Sequence, residues 1–178
     1  AWGISLHNGI VAPYIEHYGT TEQKERWIPK LARGEYIGAL AMTEPGTGSD
    51  VQGIRTHAQR DGNNYILNVS KTFITNGQLA NLFVVATNTN KNEDGARSLS
   101  LMIVETDQVE GFRRGRNLDK IGMKGQETSE LFFDDVVAPR DNILGGVESQ
   151  GFYQLMQELP QERLIASIVG VATMERAL

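Results

Sequence analysis

Between Tyr36 and Pro139 the chain is a series of short apolar or alternating runs, each cut off by Gly, Pro, Asn or Asp. On both sides of that stretch the periodicity turns helical. Such a pattern leaves few options. Short strands closed by turns must curl into a compact barrel or sandwich, and the flanking helices must cover it. Ile37, Ala39 and Ala41 alternate with Gly38, Leu40 and Met42 in a wholly apolar strand, which fits burial on both faces. Residues 54–60 and 64–70 flank Asp61-Gly62-Asn63, a strong hairpin signal. Leu82–Thr87, Ser98–Glu105 and Glu130–Phe133 read as further strands, Gly111–Arg116 as a weaker one and Asn88–Ala96 as an exposed polar loop. Val136–Pro139 ends the β region and Gly145-Gly146 marks a linker.

The first 33 residues look helical. Thr20 and Gln23 stand at capping-box spacing for a helix through about Ala32, and Gly34 is a plausible stop. Pro13 and Pro29 disturb the pattern. From about Gln150 to Leu178 the helical period returns, with Phe152, Leu155, Met156, Leu159, Ile165, Ala166, Val169 and Val171 making it apolar-rich and Pro160 predicting a kink.

Composition narrows the chemistry. The 178 residues include no Cys, which excludes disulfides, thiolate metal sites and Cys nucleophiles. His7, His17 and His57 make no metal-ligand spacing. A net charge of -5 gives no case for a nucleic-acid surface. No apolar run approaches the roughly 20 residues of a membrane helix. With no initiator Met and helical pattern at both ends, the chain reads as an internal fragment of a longer protein.

Two runs point to a pocket. Ala41-Met42-Thr43-Glu44-Pro45-Gly46-Thr47-Gly48-Ser49-Asp50 drives an apolar strand into a turn whose glycines allow close backbone approach. Its N–H groups and hydroxyls could line a phosphate or a polar ring edge. It is neither a Walker loop nor GxGxxG. Phe73-Ile74-Thr75-Asn76-Gly77 sets an aromatic and a hydroxyl two positions apart, on one face of a strand. Each run alone is equally at home in an ordinary turn or sheet. Together they fit a flat, polar-edged, phosphate-bearing cofactor.

These runs, with Lys120-Ile121-Gly122-Met123-Lys124-Gly125 and the following stretch to Pro139, resemble the middle domain of flavin-dependent acyl-CoA dehydrogenases, in the same order. The resemblance covers essentially the whole chain. GFYQLMQELPQERL is most similar to the long-chain type, then to the isovaleryl type. It implies an α+β fold in which a β-barrel or sandwich middle domain (36–140) stands between the end of a helical N-terminal domain (1–35) and a linker with the first helix of a C-terminal domain (141–178). It implies FAD, an acyl-CoA substrate, electron-transfer flavoprotein as acceptor, a homotetramer, and a bacterial cytoplasm, preferred over a mitochondrial matrix.

Carried over position by position, the resemblance lays Leu40, Ala41, Met42, Thr43, Glu44, Pro45, Gly46, Thr47, Gly48 and Ser49 along the flavin. Thr43 would bond the isoalloxazine edge, and Ser49 would sit where cofactor and acyl-CoA meet. Glu44 has a structural hydrogen-bonding role as its alternative. Phe73, Ile74 and Thr75 would cover the ring, with Thr75 near flavin N5. The family usually has Trp where Phe73 stands, so the wall is kept and the indole N–H is lost. Arg97 and Ser98 match positions near the CoA phosphates. Tyr153, Pro160, Gln161 and Arg163 match the acyl-CoA site.

Glu162 matches the base of the long-chain and isovaleryl types, with Glu158 as rival. It follows Leu155 by seven residues and Glu158 by four, so the three share a helix side. A solvated charged face is the alternative. An acyl-CoA oxidase passing electrons to O2 and a non-catalytic acyl-CoA-binding relative are the alternatives for the whole protein. If the 178 residues are a central fragment, they bind FAD weakly and turn over little when expressed alone; full activity of the isolated chain, assayed with dye reduction, would refute that.

Overall fold

Helix α1 (Trp2–Leu6) runs through a π-helical turn (His7–Val11) into α2 (Ala12–Tyr18). The π turn has a local cause. Pro13 has no N–H for the carbonyl of Gly9 and its ring crowds that oxygen, so the preceding turn widens and Ala12 bonds back to His7. Thr20 opens α3 (Thr21–Ala32) with the expected capping box: its hydroxyl accepts from the Gln23 N–H, and the Gln23 side chain accepts from the Thr20 N–H. The computed structural model describes residues 2–90, 93 and 95–178. Three residues of the expected polar loop, Lys91, Asn92 and Asp94, therefore lie outside it.

Seven strands follow: β1 (Gly38–Ala41), β2 (His57–Asp61), β3 (Asn64–Thr75), β4 (Leu82–Asn88), β5 (Leu99–Glu105), β6 (Phe112–Asn117) and β7 (Thr128–Pro139). They form one mixed sheet with path β1-β4-β2-β3-β7-β6, and β5 pairs with β4. One side of β4 meets β1 at its start and β2 at Asn88, both parallel, while β5 takes its other side antiparallel. The sheet thus curls into a half-barrel, and the α+β architecture with helices at both ends is as expected. Gly62 takes φ 58 in the β2–β3 turn, where glycine carries no strain.

The apolar strands are buried on both faces because the sheet separates two cores. Leu82, Val84 and Ala86 of β4, with Leu99, Leu101 and Ile103 of β5, face the helices and meet Val11, Tyr14, Trp27 and Leu31. The alternate residues Phe83, Val85, Met102 and Val104 face inward, onto Tyr65, Leu67, Leu131 and Phe133. The exposed strand β6 carries Arg113, Arg114 and Arg116, charges that disfavour pairing with another edge.

Two expectations shift. The strand expected from residue 54 begins at His57, because a 3-10 turn (Val51–Gly53) precedes it and the N–H groups of Arg55 and Thr56 go to the Glu44 carboxylate instead. Val136–Pro139 ends the β region as expected, as the last third of β7 paired to Asn64–Leu67. Helix α4 (Gly151–Ala177) runs unbroken through Pro160. Its packed face carries Gly151, Gln154, Leu155 and Glu158, with Glu162 half-buried beside them, so Leu155, Glu158 and Glu162 share a side as expected.

A buried ion pair ties the sheet together. Lys71 on β3, 1% exposed, donates to the Met42 carbonyl at 3.1 Å, the Ala86 carbonyl at 2.8 Å and Glu44 Oε1 at 2.9 Å. Glu44 also accepts from the Thr56 hydroxyl and from the N–H groups of Arg55 and Thr56, at 2.8 and 2.9 Å. Burial pushes the Glu44 carboxyl up, but Lys71, the Thr56 hydroxyl and the Arg55 N–H outweigh it and hold it below the usual carboxylate value. Burial draws Lys71 down to about 8 against the pull of Glu44. Removing one partner strands the other charge, so Lys71→Met should destabilise the fold by about 3–5 kcal/mol in urea denaturation at neutral pH. That loss should shrink as pH falls toward and through the ordinary carboxylate value, because burial without Lys71 lets Glu44 take a proton earlier, while the paired Glu44 of the parent stays charged until below that value. Adding Glu44→Leu should recover only part of it, because the Arg55 and Thr56 N–H groups and the Thr56 hydroxyl then lose their acceptor; an unchanged midpoint for Lys71→Met would show that the pair does not hold the sheet.

Candidate functional site

The Pro/Gly run forms a tight turn at the end of β1. Glu44 and Thr47 exchange both backbone hydrogen bonds, N to O at 2.9 and 3.1 Å, and Thr43 accepts at its carbonyl from Thr72 N of β3 at 3.0 Å. Leu40, Met42 and Thr43 are half-buried, Ala41 and Glu44 are buried, and Pro45, Gly46, Gly48 and Ser49 are exposed. No atom lies within 4 Å of where a side chain on Gly46 or Gly48 would begin. The backbone there is open to a close ligand, and Ser49 stands beside it. Glu44 has the structural role that was its alternative, since both its oxygens are already occupied.

Phe73 and Thr75 do not sit on a regular strand. The register of β3 against β7 slips between Lys71 and Ile74, a bulge, and Phe73 adopts φ 58. A bulky residue in the left-handed region is strained, and such strain concentrates at ligand sites. The bulge also breaks the alternation that was expected to set Phe73 and Thr75 on one face. The Phe73 ring is 66% exposed, while Ile74 is buried in the inner core. The Thr75 hydroxyl accepts from Gln126 Nε2 at 3.2 Å, which joins β3 to the exposed Lys120–Gly125 loop.

The N-terminal helix is fastened to this end of the sheet. Asn76 Nδ2 donates to the carbonyls of Gly3 and Gly38, at 3.0 and 3.2 Å. His7 Nδ1 accepts from the Gly38 N–H at 2.9 Å, so its proton sits on Nε2, 3.2 Å from the Leu31 carbonyl. Gly3, His7, Asn76, Leu79, Gln126 and Glu127 line a hollow of about 380 Å³ between helix and sheet. Burial pushes the Glu127 carboxyl up, against the amides of Gln78, Leu79 and Gly77. Both its oxygens are buried, and among the described residues neither has a partner at hydrogen-bonding distance and angle.

Farther along, the same helix meets α4. Tyr14, fully buried, donates to Glu162 Oε1 at 2.7 Å. One turn earlier on α4, Glu158 Oε1 is held by His17 Nδ1 at 2.8 Å and the Tyr18 hydroxyl at 2.9 Å. Tyr14, His17 and Tyr18 stand at i, i+3 and i+4, one face of α2. Burial pushes the Glu162 carboxyl above its ordinary value; the Tyr14 bond lowers it, Glu158 raises it and Arg163 lowers it. A half-buried carboxylate with raised proton affinity suits a general base.

The remaining candidates are scattered. Tyr153 is 61% exposed on α4, with Phe152 edge-on at 6.0 Å. Pro160, Gln161 and Arg163 are exposed. Arg97 is exposed and pairs with Glu93 at 3.1 Å. Ser98 is buried, its hydroxyl donating to Asn88 Oδ1 at 2.7 Å. Tyr14, Lys71 and Gln126 were not anticipated. The Tyr14-His17-Tyr18 spacing was the available signal for the first. A lone Lys in an otherwise strand-like run was the signal for the second. Among the described residues no His, Asp or Glu cluster could hold a metal ion, and no helix is long and apolar enough to cross a membrane.

Comparison with known proteins agrees with this layout. The family model described as acyl-CoA dehydrogenase, middle domain, matches residues 39–136, and the acyl-CoA dehydrogenase N-terminal domain matches residues 1–35. The chain is 53% identical to the mitochondrial long-chain specific acyl-CoA dehydrogenase of Mus musculus over 97% of its own length, and 41% identical to the mitochondrial isovaleryl-CoA dehydrogenase of Pongo abelii over 97%. It spans 40% of the length of each of these curated relatives. Among solved structures, an acyl-CoA dehydrogenase from Geobacillus kaustophilus is 53% identical with a TM-score of 0.90, covering 94% of this chain and 44% of that one. A middle-domain match across more than half the chain, on a fold that superposes this closely, places it in the acyl-CoA dehydrogenase family.

Proposed function

We propose that the whole protein oxidises a saturated acyl-CoA thioester to the trans-2-enoyl-CoA with FAD, and that Glu162 is the base. The observation that carries this reading is the Glu162 carboxylate: half-buried, raised in proton affinity, and set on α4 by a single hydrogen bond from Tyr14. The first turn and the β3 bulge fit the cofactor. Open backbone at Gly46 and Gly48 with the Ser49 hydroxyl suits a pyrophosphate, and Thr43, Thr75 and the exposed Phe73 ring suit a flat polar-edged ring. When bound, the flavin supplies the acceptor for the β-hydride. Glu162 removes the proton from Cα, and the electron pair of that C–H bond becomes the new π bond as the hydride leaves Cβ. Desolvation favours the transfer, because a carboxylate with raised proton affinity is closer in pKa to the acid it must deprotonate.

The finer assignments rest on resemblance and relatives. The 53% identity to a long-chain relative, against 41% to an isovaleryl one, supports a long-chain substrate. Exposed Tyr153, Pro160, Gln161 and Arg163 are available for acyl-CoA contacts, and Arg97 for a CoA phosphate. Ser98, already bonded inside the fold, supports that site from behind. Electron-transfer flavoprotein as electron acceptor and a homotetramer complete the reading, as does the division at 1–35, 36–140 and 141–178. The mitochondrial relatives favour a matrix location over the cytoplasm, and the bacterial structural neighbour keeps both in play.

In the full-length protein, Glu162→Gln should keep the bound flavin spectrum and lose about 10²–10⁴-fold in turnover. Glu158→Gln should keep most of its activity, and the reverse pattern would move the base to Glu158. Across a panel of acyl-CoAs of increasing length and branching, kcat/KM should peak at long straight chains; a maximum at isovaleryl-CoA would reassign the substrate.

A further inference from the structure

We propose that Tyr14 is the positioning residue of this base: its hydroxyl occupies Glu162 Oε1 and leaves Oε2 as the oxygen that takes the substrate proton. The inference rests on the reading of Glu162 as base. The geometry is specific. Tyr14 is fully buried in the core between helices and sheet, so its ring has one place to be, and its hydroxyl lies 2.7 Å from Oε1. No hydrogen bond to Oε2 is present among the described residues.

The groups facing Glu162 are few. From α2 there is Tyr14; on its own helix there are Glu158 and Arg163. Glu158 is fixed by His17 and Tyr18, so the α2 face sorts two carboxylates one turn apart. Glu158, 6% exposed and with both donors on Oε1, is the anchor, whereas Glu162 is half-buried with one donor on Oε1, so its Oε2 is the reachable oxygen. Burial and Glu162 itself raise the Tyr14 phenol far above its ordinary value, so it stays a donor throughout the working range. A permanent donor favours the carboxylate over the acid. It thereby restrains how far desolvation raises the base and fixes the carboxylate plane.

The bond does not merely tie two helices together, and its removal separates the roles. In the full-length holoenzyme, Tyr14→Phe keeps the ring and loses the hydroxyl. The acid limb of the kcat/KM–pH profile should move up by about one unit, because a hydrogen bond to a charged group is removed. At pH below that limb, kcat/KM should fall about tenfold, with flavin content unchanged. Tyr18→Phe, which loses a bond to Glu158 instead, should not move the limb upward. Incorporation of 3-fluorotyrosine at position 14, a stronger donor of nearly the same size, should move the limb down and serves as the test if Tyr14→Phe does not fold. A limb that stays in place in both Tyr14 proteins, or an equal upward shift in Tyr18→Phe, would overturn the proposal. Full activity in Glu162→Gln would instead overturn the reading beneath it.

Discussion

The Lys71–Glu44 pair is the constraint on which the other features depend. An ammonium with 1% exposure is costly unless every one of its protons is used, and here all three are. The acceptors belong to different parts of the chain: Met42 beyond β1, Ala86 in β4, and Glu44 in the Pro/Gly turn. Glu44 extends the network to Arg55 and Thr56, ahead of β2. One buried charge therefore ties the end of β1 and the start of β2 to the interiors of β3 and β4. The open backbone of Gly46 and Gly48 is held in place because Glu44, two residues before Gly46, is pinned by this network.

The same position explains the strain at Phe73. Lys71 must point inward to reach its acceptors, and Ile74 must point into the inner core. In a regular strand residues three apart point to opposite faces. The extra residue in the bulge corrects the phase, and Phe73 takes the left-handed conformation that results. The exposed Phe73 ring and the fixed Pro/Gly turn are thus two consequences of one internal requirement.

Much of this was legible in the sequence. The capping box at Thr20, the hairpin turn, the doubly buried strands and the order of the three motifs each rest on local chemistry, and each is present. What was not legible depends on distant partners. No pattern within residues 51–60 shows that Arg55 and Thr56 give their N–H groups to Glu44, so β2 begins later than its alternation implies. Spacing put Leu155, Glu158 and Glu162 on one side of α4, and that side is the packed one, but it gave no partners for the polar residues there. Periodicity counts apolar residues, whereas the buried face is set by Gln154, Glu158 and Glu162, whose partners lie on loops and on α2. For the same reason Tyr14 reads from sequence as an ordinary core aromatic.

That polar face has a physical logic. A helix packed only through apolar contacts could slide or rotate with modest loss, since dispersion and burial are not directional. Hydrogen bonds from Tyr14, His17 and Tyr18 to two carboxylates fix both the rotation and the height of α4. Gly151 adds a stop, since a side chain there would begin 2.7 Å from the Ser100 backbone of β5. The N-terminal helix is in turn fixed to the sheet through Gly3, His7 and Asn76, next to Thr75. The helix bearing the candidate base and the bulge bearing the candidate cofactor wall are thus referenced to one continuous strut, with the π turn at Pro13 between them. The proposed dehydrogenation draws a proton and a hydride from adjacent carbons and needs both acceptors in fixed relation, the kind of relation one continuous strut can hold.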